Sequence, residues 1–127
     1  MSVLEARQIG GMVVSKSLKI SLVATADIPA FSAATATGKP ADSNNVFHKN
    51  IVIGITRAEI ANGFSGYAVI DGEIDNPAWT WTAGNVIYLN GTTLSTIAPS
   101  TGFRVIVGTA VTATKIDVGI RESILLQ

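Results

Sequence analysis

The sequence predicts a mainly β domain, a compact barrel or sandwich of short antiparallel strands with one short helix and an extended N-terminal arm. Three observations predict it. Short segments alternate apolar and polar residues, and Gly, Asn, Asp and Pro punctuate them at close intervals. In addition, Val86, Ile87, Tyr88 and Leu89 run into Asn90-Gly91, and Thr92, Thr93 and Leu94 resume beyond it. That pattern predicts a tight hairpin with both Asn90 and Gly91 at positive φ.

At 127 residues the chain fits one domain, which at this size buries roughly two-thirds of the surface its unfolded form exposes. The expected division is an N-terminal arm over residues 1–15, a β domain over 16–121 and an apolar C-terminal tail over 122–127. The arm carries Val3, Leu4, Ile9 and Met12 around Gly10-Gly11, too apolar for a solvated tail and too short for a domain. Residues 17–23 place Leu18, Ile20 and Leu22 on one face and Ser17, Lys19 and Ser21 on the other, which predicts a half-buried strand. Residues 27–45, with two prolines, a glycine and many small polar side chains, predict a long loop anchored by Phe31.

Residues 46–55 predict a buried strand in which Gly54 permits a bulge or close backbone approach. Thr56 and Glu59 stand at capping-box spacing before Ile60, and Gly63 is placed to stop the chain in a left-handed conformation. Together they predict a helix of barely two turns, opening at Arg57 and ending at Asn62. Residues 66–74 return to strand, with Ala68, Ile70 and Ile74 offset from Tyr67, Val69 and Glu73 and a bulge at Gly72. Residues 103–107 and 115–120 supply two more strands, and Ile124, Leu125 and Leu126 leave the chain end apolar.

Composition narrows the partners. Charged residues make up 14% of the chain and formal net charge is zero, against roughly a quarter charged in typical soluble domains. With no Lys/Arg stripe to displace counterions from a phosphate backbone, no nucleic-acid partner is expected. The apolar runs fall short of the roughly 20 residues of a membrane helix, so no membrane partner is expected either. The absence of cysteine excludes disulfides and thiol chemistry. The N-terminus lacks the pattern of a secretory leader and is expected to remain in the mature chain.

Chemistry-bearing residues are sparse. His48 is the only histidine, and its pairing with Asp71 or Glu73 is the one acid–base arrangement on offer, without a nucleophile motif to accompany it. Asp71, Glu73 and Asp75 alternate along one strand face, where they would either meet a cation or form a solvated acidic surface that discourages edge aggregation. The second reading is preferred because calcium-loop spacing is missing. Trp79, Trp81 and Tyr88 offer aromatic faces for a sugar or a base, yet no cation lies between Asp75 and Arg104. Packing in the core or between subunits is therefore the first expectation for them. Asn90-Gly91-Thr92 matches a glycosylation sequon and is read as a turn. No catalytic residue, cofactor or metal is assigned.

The stretch VIGITRAEIANGFSGYAVIDGEI, followed by NPAWTWTAGNVIYLNGTTLSTIAPSTGFRVIVGTAVTATKIDVGI, resembles small structural proteins of tailed bacteriophages. The resemblance covers roughly residues 51–120 and lies in the order of a V-I-G-I strand, a G-E-I strand, W-T-W-T-x-G-x-x-I-Y-L, P-x-x-G-F and A-T-x-I-x-V. It implies a β-rich virion module, usually trimeric, of the kind used in capsid decoration (cement) proteins and in fibres or spikes. The expected function is non-enzymatic: a homotrimeric head decoration protein, assembled in the host cytoplasm, that binds the major capsid protein or other virion proteins. The alternative is a tail fibre, spike or baseplate component that contacts host glycan through Trp79 and Trp81. Under either reading Ile9, Met12, Ile124, Leu125 and Leu126 are expected at subunit or capsid contacts, and Trp79, Trp81 and Tyr88 in core or intersubunit packing.

Overall fold

The computed structural model describes the backbone of residues 7–9, 12–14 and 17–126, and side chains from residue 17 to residue 126. The chain is mainly β, built on a curled antiparallel half-barrel sheet, as the sequence predicts. In chain order the strands are β1 (Arg7–Ile9), β2 (Met12–Val14), β3 (Leu18–Val23), β4 (Ala33–Thr35), β5 (Val52–Thr56) and β6 (Ser65–Asp75). They continue with β7 (Val86–Asn90), β8 (Thr93–Ser95), β9 (Phe103–Arg104), β10 (Ile106–Ala110), β11 (Lys115–Gly119) and β12 (Ile124–Leu125). The main sheet runs β4-β5-β6-β11-β10-β7-β8, and β3 joins it at β6.

Strand β6 organises the sheet. Its first half pairs with β3, Ala68 and Val69 also pair with β5, and residues 71–75 pair with β11. Ile70 is the extra residue between the Leu18–Asp71 and Lys19–Val69 pairs, and Gly72 follows at φ 120°. A bulge of one residue exchanges the faces of a strand, because side chains alternate with period two. Val69 and Ile74 consequently share the main core, whereas Ala68, expected beside Ile74, points into a second, smaller one. On β5, Ile53 is likewise extra opposite β4, so Val52 and Ile55 both reach the main core.

The main core gathers Ile55, Val69, Ile74, Ile87, Leu89, Phe103, Val105, Val107, Ile116 and Val118 inside the curl. Across the sheet, Leu22, Ala24, Ile28, Ala34, Ile60 and Ala68 form the small core. Gly54 sits between the two layers. A Cβ there would collide with the Val69 carbonyl oxygen and lie 2.9 Å from its carbon, so close approach of β5 to β6 requires glycine.

Ser43 joins the two ends of the sheet. It is fully buried in the segment that follows β4. Its N–H donates to the Gly91 carbonyl at 2.9 Å and its hydroxyl accepts the Gly91 N–H at 2.7 Å. Its carbonyl receives the Phe103 N–H at 2.9 Å. Three bonds from one residue thus tie the β4 side to the β7–β8 turn and to β9.

Several local expectations are corrected. Residues 57–62 form no helix. Ile28 and Ile60 instead exchange both backbone hydrogen bonds at 2.9 Å, Asn62 N–H goes to Asp27 Oδ1 at 2.8 Å, and Gly63 N–H goes to the Ala24 carbonyl. A two-turn helix is marginal by itself, and burying Ile60 in the small core captures the donors it would have used. Thr56, read as the cap, is buried and donates its hydroxyl to the Pro29 carbonyl at 2.7 Å. The only helical turn among the described residues is a 3-10 turn at Val46–His48, where Asn45 Oδ1 caps the Phe47 N–H and the buried strand expected over 46–55 begins only at Val52.

The expected loop over 27–45 contains β4, whose Ala33, Ala34 and Thr35 are all buried; small residues without period-two contrast left no strand signal. In the β7–β8 hairpin, Asn90 pairs with Thr93, so the two-residue turn is Gly91-Thr92. Only Gly91 has positive φ, at 62°, the sign pattern of a type II′ turn, and Asn90 remains in the strand.

Within the arm, β1 and β2 form a separate hairpin in which Ile9 opposes Met12; the side chains of both lie outside the described residues, as does the rest of the segment's contact assignment. The C-terminal tail is a paired strand: Ile124 opposes Arg104, Leu125 opposes Phe103, and Leu126 N–H binds the Gly102 carbonyl.

Gly54→Ala is expected to destabilise the fold by about 1–3 kcal/mol, the usual scale of overpacking. Ser43→Ala, which leaves the partly buried Gly91 N–H without its acceptor, is expected to cost about 1 kcal/mol. Urea unfolding of both variants measures these losses.

Candidate functional site

The loop carrying both tryptophans is strapped to the end of the β10–β11 hairpin. Asn76 N–H donates to the Thr114 carbonyl, Trp81 N–H to Ala113, and Gly84 N–H to Ala110, at 2.8–2.9 Å. Asn76 also turns the chain locally, its Oδ1 accepting the Ala78 N–H at 3.0 Å. This strapping presents Trp79 and Trp81 at the rim of the main core, where both are half-buried. Their ring centroids are 5.6 Å apart with the planes at 50°.

Phe31 completes the row, meeting Trp79 edge-on at 5.5 Å. It holds φ 57°, a costly conformation for an aromatic residue. The surrounding bonds impose it: Phe31 N–H donates to the Thr56 carbonyl at 2.8 Å, and Thr56 Oγ1 binds the Pro29 carbonyl and accepts the Ser32 N–H. Phe31 is the loop anchor that the sequence predicts.

Beside these rings lies a cleft of about 370 Å³ lined by Trp79, Trp81, Thr80, Thr82, Asn85 and, from β8 and the residue after it, Leu94, Ser95 and Thr96. Its polar groups are hydroxyls and one side-chain amide, and no charged residue lines it. The Trp81 Nε1 atom is buried without a hydrogen-bond partner, the sole such side-chain nitrogen or oxygen among the described residues. Leaving a buried donor unpaired costs about 1–3 kcal/mol. Trp79 and Trp81 were legible from the sequence; the β8 wall and Asn85 were not, because nothing local announces that β8 curls back beside the tryptophan loop.

Tyr88 does not join the tryptophans. Ile87 and Leu89 point into the core, so Tyr88, between them, faces the opposite side of the sheet, opposite Ile106 and Ser95. The carboxylates do share a face: Glu73 opposes Asp117, Asp75 opposes Lys115, and Asp71 opposes Gly119. Among the described residues no group of three His, Asp or Glu side chains is placed to hold a metal ion. Arg57 reaches this region, its Nη2 donating to the Glu73 carbonyl at 2.8 Å and to Ser17 Oγ at 3.0 Å.

His48 is buried, and its Nδ1 accepts the Asp42 backbone N–H at 3.0 Å. Asn45 Nδ2 lies 3.3 Å from His48 Nε2, and neither Asp71 nor Glu73 is a hydrogen-bond partner. The imidazole serves as a strut for the segment that carries Ser43.

A second concavity of about 340 Å³ lies between β3, β6 and residues 57–60, lined by Lys19, Arg57, Glu59, Ile60, Tyr67 and Val69 among others. Lys19 Nζ stands 5.2 Å from the centre of the Tyr67 ring, a cation–π contact. Comparison with protein-family models, with curated proteins and with solved structures finds no match to this chain.

Partial burial raises the Asp117 carboxyl above its ordinary value, with repulsion from Asp71 and then Glu73 adding to it. A raised acid pKa means that the folded state binds the proton more readily than the unfolded one. Its contribution to stability therefore falls as pH rises above about 4 through the shifted value. Asp117→Asn is expected to raise the melting temperature slightly at pH 7, with the gain disappearing below about pH 4; thermal melts across pH measure it.

Proposed function

We propose that this chain is a non-enzymatic structural subunit of a tailed-phage virion, a trimeric head decoration protein that cements neighbouring capsid subunits. The observation that carries the proposal is the edge of β3. Among the described residues β3 pairs with β6 alone, leaving its other edge without a strand. Lys19 is its one charged residue, and Leu18, Ile20 and Val23 are exposed along it. Phe64, at 67% exposure, and Tyr67, at 60%, extend the apolar surface from the adjoining end of β6.

Proteins ordinarily blunt a free edge with charge, proline or a covering segment, because its unpaired N–H and C=O groups recruit other strands. This edge has one lysine and no proline. Strand addition by a sister copy or a coat subunit would satisfy the backbone and bury the apolar side chains together. Ile124 and Leu125, both about half exposed on β12, supply a second apolar patch of the kind expected at a contact.

Binding only to the assembled lattice would stabilise that lattice by mass action, and many repeated copies would make a modest energy per copy sufficient. The order of strand motifs that resembles phage structural proteins supports the virion setting, and zero net charge suits close packing of copies. A tail fibre, spike or baseplate position is the second reading, and the uncharged tryptophan cleft is the observation that favours it.

Ile20→Lys with Val23→Lys is expected to dissociate the trimer and abolish capsid binding without loss of the β signal in circular dichroism. Sedimentation velocity and co-sedimentation with expanded capsids measure both. A wild-type chain that stays monomeric and ignores capsids, or particle density that places it only on the tail, overturns the decoration reading.

A further inference from the structure

We infer that the cleft between the tryptophan loop and β8 is a binding site for uncharged carbohydrate. The inference rests on the cleft alone and holds for a head or a tail position. Its occupant is argued from four observations. Trp79 and Trp81 are half-buried and line the cleft, so each leaves part of an apolar ring surface toward it, the surface on which the C–H face of a sugar packs. Thr80, Thr82, Asn85, Ser95 and Thr96 surround the rings with groups that both donate and accept hydrogen bonds, matching the hydroxyls of a sugar ring.

The third observation is electrostatic. Residues 76–103, which include the whole cleft lining, contain no Asp, Glu, Lys, Arg or His. A phosphate, a sialic acid or a charged peptide would enter without a counter-charge, whereas a neutral glycan needs none. The fourth is size. The cleft volume lies at the lower end of the range for small-ligand sites, which fits one or two sugar rings rather than an extended chain.

The position of the cleft is also built to persist. Phe31 backs Trp79 edge-on from the residue whose backbone is held at positive φ, and three backbone bonds strap the tryptophan loop to the β10–β11 turn. Pre-positioned rings lose little freedom on binding.

The test uses the chain's own fluorescence, because Trp79 and Trp81 are its only two tryptophans. The intact protein is titrated with neutral oligosaccharides of glucose, galactose and N-acetylglucosamine, with a polysialic acid oligomer and a neutral tryptic peptide as contrasts. The expected result is a saturable emission change with a neutral sugar, in about the millimolar range and insensitive to salt.

Trp79→Ala is expected to weaken it about tenfold or more. Asn85→Ala keeps both indoles and changes an exposed residue, and it is expected to weaken binding severalfold while the melting temperature holds. No saturation with any neutral sugar below about 10 mM, undiminished binding by Asn85→Ala, or preference for the acidic oligomer or the peptide overturns the inference. Sugar binding can fail while trimer and capsid binding persist, so the outcome is separable from the assembly proposal.

Discussion

The structure depends on the clasp made by Ser43. An antiparallel sheet of this length would leave β4 and β8 as distant edges, with the main core open between them. Three hydrogen bonds from a single buried residue draw the segment after β4 onto the β7–β8 turn and onto Phe103. His48 holds that segment from behind by accepting the Asp42 N–H. The lone histidine, the first residue one would examine for chemistry, is thus occupied in closing the fold.

Bulges do the second part of the work. Extra residues at Ile53, Ile70 and Val107 lie on three strands of the same sheet. Each exchanges inward and outward positions, which is how β5 and β6 serve a large core on one side and a small one on the other. The same exchange keeps Asp71, Glu73 and Asp75 off the main core and lines them up with Asp117 on the outer face. Their mutual repulsion is tolerated there because water screens it.

Two surfaces remain distinct in chemistry. Among the described residues the β3 edge offers backbone groups without a partner strand flanked by apolar side chains, with Phe64 and Tyr67 beside it, whereas the tryptophan cleft is small, polar and uncharged. Were copies assembled as proposed, a weak site in the cleft would be repeated, and simultaneous engagement would raise its effective strength above that of one copy.

Much was legible in the residues themselves. Alternation marked β7 and β11 and located β3, although of its expected inward face only Leu22 is buried while Leu18 and Ile20 are exposed; the 66–74 stretch marked β6, glycine at 54 announced close strand approach, and Trp79 with Trp81 stood out as packing aromatics. These features are local: period two, turn chemistry and aromatic content act within a few residues. The helix expected at 57–62 failed because Ile28, some thirty residues earlier, captures the Ile60 backbone. Strand β4 escaped notice because alanine carries little strand preference until a neighbouring strand pairs with it. Tyr88 parted from the tryptophans because pleating turned it to the other face. By itself the sequence determined that this is a low-charge β chain with weak chemistry and apolar ends; the tertiary structure decided where the bulges fall, that Ser43 closes the sheet, and that β8 walls a tryptophan cleft, since each of these rests on contacts between residues far apart in the chain, whose partners only the folded sheet selects.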